Sequence, residues 1–518
     1  MRRFLVFAAC VLASVAACTD ATQPPEYLRR GLSADPATLD PQQARSVAAL
    51  KVLGDVYEGL LTRDASGASV PGAAESWQVS GDGTRYTFML RGDARWQDGS
   101  RVTAADFLRG WRHLVDPANA AFYADLLRPV AGAEAIAAGD APPETLGIAA
   151  PDSQTLVITL ARPQADFLQR LGHPALAPRH VDAKPPFSNG AYAVAERSPG
   201  RILLERNAAF HAADSVAIAQ VEYRAFEQEA TEYSAFRAGE LDITSRVPRE
   251  VFRLPDAERS TVRVAPYLGT VFLTFNMREA PPLNLRRALS LAVDREALAA
   301  TVVGRGEQPA FGLVPPGVAN GAVEYAPLAS REAATEYGLR VALAKSLAGN
   351  TPEAITVAYA TSDENRVVAA ALQAMWREAL PNVTVTLENR EFRVLLAQRR
   401  AGDFEGLMRA SWIADFDDAA QFLDILRSGH PANGAGFSDT RFDTLMDAAG
   451  YTDSPERRAD TLRAAEAILA DQVPVIPLYH FVAKHAVAPR VTGWRDNLLD
   501  LHYSRYLDLT GAGDEGRR

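Results

Sequence analysis

Apolar and polar positions alternate with period two in several short stretches of the chain. Between them they recur with a period near 3.6. RYTFMLR (85–91), TLVITLA (155–161), GRILLER (200–206), STVRVAPY (260–267), TVFLTFNM (270–277) and AITVAYA (354–360) read as strands. TAADFLRGWRHLVDP (103–117) reads as a helix, with Thr103 as N-cap and Asp106 three residues on in capping-box position. Its Phe107, Leu108, Trp111 and Leu114 share one face and are expected in a core. LNLRRALSLAVDREALAATVV (283–303) reads as one amphipathic helix. NRVVAAALQAMWREAL (365–380) reads as another, stopped by Pro381. The stretch 455–481 reads as a helix running into an apolar strand. Strands alternating with helices over the whole length point to an α/β or α+β architecture.

A chain of 518 residues, 47% hydrophobic, exceeds what one core can serve, so two to four domains are expected. No Gly/Ser-rich or charged linker separates them, which suggests domains completed by chain segments that cross more than once. The first residues, MRRFLVFAACVLASVAAC, have the charged start, short apolar run and small residues of a targeting segment. The ending ASVAAC resembles the lipobox of bacterial lipoproteins, which implies removal of residues 1–17 and lipid on Cys18. A plain secretory signal cleaved nearby is the alternative. Cys10 and Cys18 are the two cysteines, so loss of 1–17 leaves no disulfide to form. No later apolar run is long enough to span a membrane, and a net charge of −10 without a basic arm argues against nucleic acid. Residues 18–26 read as a flexible tether and 511–518 as a flexible tail.

Signatures of catalysis are absent. There is no G-x-x-x-x-G-K-[ST] loop, no G-x-S-x-G elbow and no H-E-x-x-H helix. The eight histidines lack metal-ligand spacing; His480 and His485, five apart, are the nearest pair. No metal, no cofactor and no enzymatic activity are expected. One stretch draws attention, MRASWIADFDDAAQFL (408–423), which puts an arginine, a tryptophan and three aspartates among apolar residues. It could be a carboxylate pair, a metal site, a binding groove or an ordinary strand-to-helix junction. Asp415, Asp417 and Asp418 lack the alternating oxygen ligands of a calcium loop.

A set of short stretches gives this segment a context. They are ATLDPQQA (37–44), VYEGLLTRD (56–64), PGAAESW (71–77), TFMLRGDARWQDGSRVTAADF (87–107) and SNGAY (188–192). LERN (204–207), FRAGELD (236–242), APPLNLRRALSLAVDRE (280–296), ASWIADFDD (410–418) and VPVIPLY (473–479) follow. In this order they resemble the bacterial extracellular solute-binding proteins of family 5, the peptide/nickel receptors of ABC importers, and among them the periplasmic oligopeptide-binding proteins. The resemblance implies an α/β, periplasmic-binding-protein-like type II (cluster C) fold, with two lobes built from three domains around a hinged ligand cleft. It implies domain I from 27–57, 173–266 and 482–510, domain II from 58–172 and domain III from 267–481. The implied protein is a monomeric lipoprotein at the periplasmic face of the cell envelope. It would be anchored through Cys18, capture short peptides and deliver them to ABC permease subunits in the inner membrane.

The resemblance also assigns roles. Asp415 stands where the family pairs the peptide ammonium, although alone it reads as an N-cap or surface acid. Trp412 and Ile413 would lie beside the peptide backbone, with Arg45, Ser46 and Val47 as the opposite backbone-pairing segment. Arg409 and Arg400 fall where the family places arginines near the peptide carboxylate or in supporting ion pairs. Tyr123 matches an aromatic lining residue, and Phe392 and Phe481 match aromatic positions near side-chain pockets. Trp412, Phe392 and Phe481 could equally be core, and Arg400 a surface salt bridge. Gly269 and Ile413 stand where some members carry a disulfide, and Val303 and Asn365 where some carry further cations. Retention of Arg409 without them points to a narrow range of short peptides. The rivals are a same-fold receptor for a dipeptide, cell-wall peptide or nickel chelate, and an envelope peptide-holding chaperone or hydrolase.

Overall fold

The computed structural model describes residues 27–320, 323–328, 332–452 and 454–510. The targeting segment, Cys18, the tether to residue 26 and the tail from 511 lie outside the described residues. Three larger sheets carry the fold. The first has the order Leu28–Leu32, Gln220–Ala225, Arg201–Arg206 and Tyr192–Ser198, with the first pair parallel and the rest antiparallel. The second is antiparallel, with the order Ala74–Val79, Arg85–Leu90, Thr155–Thr159 and Ile148–Ala149. The third has six strands, ordered Gln308–Pro309, Val475–Ala486, Val262–Phe275, Leu407–Ile413, Glu353–Ala360 and Val383–Arg390.

The alternation predicted for 85–91 is realised: Tyr86, Phe88 and Leu90 are buried while Arg85 and Met89 face solvent. The rings of Tyr86 and Phe88 stack, and Tyr86 meets Phe167. The helix Ala104–Val115 starts with the expected capping box of Thr103 and Asp106. One continuous core joins the first two sheets. The third sheet is covered on both faces. Val271, Leu273 and Phe275 of its central strand pack against helices Leu283–Leu291 and Asp363–Ala379, and Leu268 and Phe272 face Phe422, Phe442 and Leu462. A strand buried on both sides needs apolar residues at both parities, which is why TVFLTF carries an almost unbroken apolar run.

Two expectations are corrected. The stretches 260–267 and 270–277 form one strand, Val262–Phe275, with a register irregularity between Pro266 and Thr270. The helix expected over 283–303 breaks after Leu291. Asp294 accepts the Ala297 N–H and starts a new turn, followed by a π-helical segment Leu298–Val303. The fully buried Arg295 holds the break, donating to the carbonyls of Ser290 and Pro477. An internal carbonyl satisfied by a guanidinium no longer needs the next helical N–H.

The first lobe is closed by distant segments. Arg29 and Arg490 both reach the buried Asp242, and Ile243 bridges to Arg30 on one side and Val487 on the other. From there the antiparallel strands Val262–Phe275 and Val475–Ala486 run together into the third sheet. On one face of that sheet, fully buried Trp376 of helix Asp363–Ala379 donates Nε1–H to the Leu289 carbonyl of helix Leu283–Leu291 at 2.8 Å. Trp376→Ala is expected to lower stability by about 3–5 kcal/mol in urea unfolding, through the cavity and the orphaned carbonyl together.

Candidate ligand-binding cleft

The segment that follows strand Leu407–Ile413 sorts its three aspartates by partner. Asp418 accepts the Ala420 N–H at the start of helix Ala420–Leu423 and takes both terminal nitrogens of Arg458, at 2.8 and 2.9 Å. Asp417 accepts the Ala319 N–H at 2.9 Å. Asp415 has neither a hydrogen-bond nor an ion-pair partner for its side chain among the described residues. Burial pushes its carboxyl up to about 6, with Arg170 offsetting part of the rise. Solvent reaches Asp415 from the cleft, and protein encloses it elsewhere.

Asp415 lines a cavity of about 1240 Å³ together with Tyr123, Arg170, Arg399, Arg400 and Trp412. Burial and the nearby Asp415 carboxyl raise the Tyr123 hydroxyl well above its ordinary value, so it stays a donor. The Trp412 indole N–H is buried without an acceptor among the described residues. Most cations of the lining are neutralised: Arg170 by Asp166 at 2.8 Å, Arg458 by Asp418, and Arg427 by Asp447. Arg399 and Arg400 have no carboxylate partner among the described residues. They sit near the end of helix Phe392–Ala401, where the position favours a cation. Burial and the neighbouring Arg400 lower the pKa of Arg399.

The lobes touch around this cavity. Phe416, next to Asp415, is buried in the core of the opposite lobe, under the Arg170 guanidinium at 5.2 Å. The Ala165 N–H donates to the Gly450 carbonyl at 3.0 Å, and Arg162 lies 3.6 Å from Asp447.

Of the residues singled out in the sequence, the cavity brings together Asp415, Trp412, Tyr123 and Arg400. Its lining does not include Arg409, Ile413, Phe392, Phe481 or Arg45–Val47. Arg409 donates to the Tyr479 hydroxyl at 2.9 Å and lies 3.6 Å from Glu364. Glu364 also accepts from Tyr479 and pairs with Arg305, whose guanidinium extends toward Glu229 at 3.9 Å. Ile413 and Phe481 meet over Gly269, where an added Cβ would lie 2.5 Å from the Phe481 ring. Phe392 is 61% exposed at the start of its helix. Arg45 donates to the Ala120 carbonyl, Ser46 caps helix Val47–Val56, and Val47 is exposed. Val303 is buried, and Asn365 donates to the Ala360 carbonyl. Sequence reasoning missed Arg399, Arg170 and Asp424, whose carboxyl on the cavity wall is also pushed up to about 6 by burial. The adjacent pair Arg399–Arg400 was the available signal for the first.

The model of the bacterial extracellular solute-binding proteins, family 5 Middle, matches residues 68–434. The chain belongs to that family. This family 5 protein is 34% identical over 530 residues to the probable deoxycholate-binding periplasmic protein YgiS of Escherichia coli, covering 97% of each chain. It is 31% identical over 503 residues to the periplasmic murein peptide-binding protein MppA of the same organism, covering 93% of each. Among solved structures it superposes on Haemophilus influenzae OppA in complex with RPPGFSPFR with a TM-score of 0.79 at 31% identity. That match covers 93% of this chain and 99% of the other. The fold of this family 5 protein is therefore the type II periplasmic-binding-protein-like one, and its class is solute binding.

Two outcomes follow for the ligand-free family 5 protein. Asp415 has a folded-state pKa raised from 3.8 to about 6, so its contribution to stability is intact below pH 4 and is lost as pH rises through 6. Asp415→Asn should therefore raise the melting temperature at pH 8, by a gain on the order of 1–3 kcal/mol, and leave it unchanged at pH 3.5. Asp418→Asn should act oppositely and cost about 3–5 kcal/mol in urea unfolding, because Arg458 is left buried and unpaired.

Proposed function

We propose that this chain is the substrate-binding component of an ABC importer and captures short peptides. The reading rests on one observation. A cleft closed by two lobes contains a carboxyl, Asp415, and a pair of guanidinium groups, Arg399 and Arg400, that have no ion-pair partner among the described residues. A ligand with a free ammonium and an anionic group satisfies both, and a peptide carries both. Asp415 receives the ammonium, Tyr123 and the Trp412 indole N–H donate to peptide carbonyls, and Arg400 with Arg399 receives a carboxylate. Arg409 is held by Glu364 and Tyr479 and serves as a supporting ion pair. The protein performs no chemistry on its cargo. It delivers it to permease subunits in the inner membrane while tethered through lipid on Cys18. The domain limits expected from the sequence, with 27–57, 173–266 and 482–510 in domain I, 58–172 in domain II and 267–481 in domain III, belong to the same reading. Periplasmic relatives named for murein peptide and for a bound nonapeptide support it.

A second reading has its own support, since a relative at 34% identity is named for deoxycholate. An amphipathic carboxylate would suit the arginines and the aromatic rings but would leave Asp415 unpaired.

Thermal unfolding with free peptides of two to five residues, their N-acetylated twins and deoxycholate separates the two. Free peptide at about 100 times Kd should add roughly 2.7 kcal/mol of stability, and acetylated peptide should add little. Asp415→Asn should weaken free peptide by at least about 100-fold, as expected for one-sided loss of a desolvated ion pair. Stabilisation by deoxycholate and by no peptide would establish the second reading. Peptide affinity should be nearly level between pH 6.5 and 7.5. Below about pH 6 it should fall about tenfold per unit, as Asp415 takes up a proton that the bound ammonium must displace.

A further inference from the structure

Two histidine rings converge on one carboxylate where the strand pair leaves the first lobe. His485 stands near the end of strand Val475–Ala486, opposite Arg263, and Asp500 and His502 follow in the C-terminal segment. His485 Nδ1 lies 2.7 Å from the Thr244 carbonyl oxygen. A carbonyl can only accept, so Nδ1 carries the hydrogen. His485 Nε2 then faces Asp500 Oδ1 at 2.6 Å, and His502 Nε2 faces the same oxygen at 3.2 Å. Lys51 Nζ donates to Asp500 Oδ2 at 2.9 Å. In the neutral ring with its hydrogen on Nδ1, a nitrogen lone pair would press against a carboxylate lone pair. At 2.6 Å a proton between them makes a charge-assisted hydrogen bond, and an ion held by both atoms at about 2.0–2.1 Å would spread them to about 3 Å.

The surroundings hold the three groups in place. The Trp494 ring stacks on His502 with centroids 3.6 Å apart and meets His485 edge-on at 5.3 Å. Asp500 is held in a left-handed conformation at φ 53°. One ligand atom from each residue lies within 4.8 Å of the others. Two imidazole nitrogens and one carboxylate oxygen form a donor set suited to zinc, cobalt, nickel or copper, and poor for calcium or magnesium. The Thr244 carbonyl behind His485 is the partner that fixes the tautomer of a metal-bound histidine, and Lys51 orients the far oxygen of Asp500. His480, the histidine nearest in sequence, takes no part: its Nδ1 lies 2.9 Å from Thr270 Oγ1.

We propose that His485, Asp500 and His502 bind a divalent transition-metal ion of the zinc class at the root of the strand pair that joins the lobes. The ion would fasten the strand end to the C-terminal segment.

The test uses the purified chain with thiols alkylated, stripped with dipicolinate and titrated with zinc chloride by calorimetry. Wild type should take up one ion per chain. His502→Asn should weaken uptake at least tenfold, the double variant His485→Asn/His502→Asn should abolish it, and His180→Asn should leave it unchanged, with circular dichroism confirming the fold of each. Cobalt chloride gives a readout on wild type that needs no variant, since a site of low coordination number yields intense visible d–d bands that zinc then bleaches. Absence of saturable zinc uptake together with absence of these bands would overturn the proposal and leave a proton-held ion pair. Uptake of equal affinity in the double variant would overturn it as well, by placing the ion elsewhere.

Discussion

A carboxyl group enclosed by protein is stable only when something compensates the water it has lost, and the cleft is organised around that constraint. Asp418 is compensated by Arg458 and a helix N–H, and Asp417 by the Ala319 N–H. Asp415, between the strand and these two, is left without such a partner among the described residues; burial raises its pKa to about 6, as it does that of Asp417, so the missing partner and not the shift sets it apart. The residues nearest to it do not relieve the deficit. Arg170 is already committed to Asp166, and Tyr123 is a neutral hydroxyl. A carboxyl that faces the cavity with no hydrogen bond or ion pair of its own, beside neighbours that have them, is the arrangement a preorganised cation site requires.

The same logic separates the arginines. Arg409, beside Tyr479, is met by Glu364, a residue of the same lobe, so its charge is largely answered within the protein. Arg399 and Arg400 stand at the end of a helix with their charges open to the cavity. A cleft that leaves Asp415, Arg399 and Arg400 unanswered among the described residues favours ligands of mixed charge over purely apolar or purely anionic ones. It also moves the expected carboxylate contact from Arg409 toward the helix Phe392–Ala401. Members of one family that differ in the names of their ligands can differ in this way, by which charges of a common cleft are left unanswered.

Legibility in the sequence followed the range of the interactions. The strand Arg85–Leu90 and the capping box of helix Ala104–Val115 depend on residues within a few positions, and the pattern disclosed them. The break after Leu291 depends on Arg295 reaching Pro477, 182 positions away, and no window of sequence contains that contact. The three aspartates at 415, 417 and 418 are equivalent to the eye. Partners at 319 and 458 decide which one stays free, so Asp415 could be singled out only through its resemblance to a known pattern. The pairing of Glu364 with Arg305 joins positions 59 apart, so no local pattern discloses it.

Phe416 carries a consequence of its own. It leaves the chain of one lobe and ends buried in the core of the other, beneath Arg170. Apolar area withdrawn from water in this way favours the closed arrangement whether or not cargo is present. An importer that responded to closure alone would then hydrolyse ATP on empty carriers. The uncompensated Asp415 beside Phe416 acts in the opposite direction, because closing without a cation desolvates it further. The two adjacent residues set adhesion against an electrostatic penalty, and on the peptide reading proposed above a cargo ammonium would tip the balance, so that the closed shape would report loading.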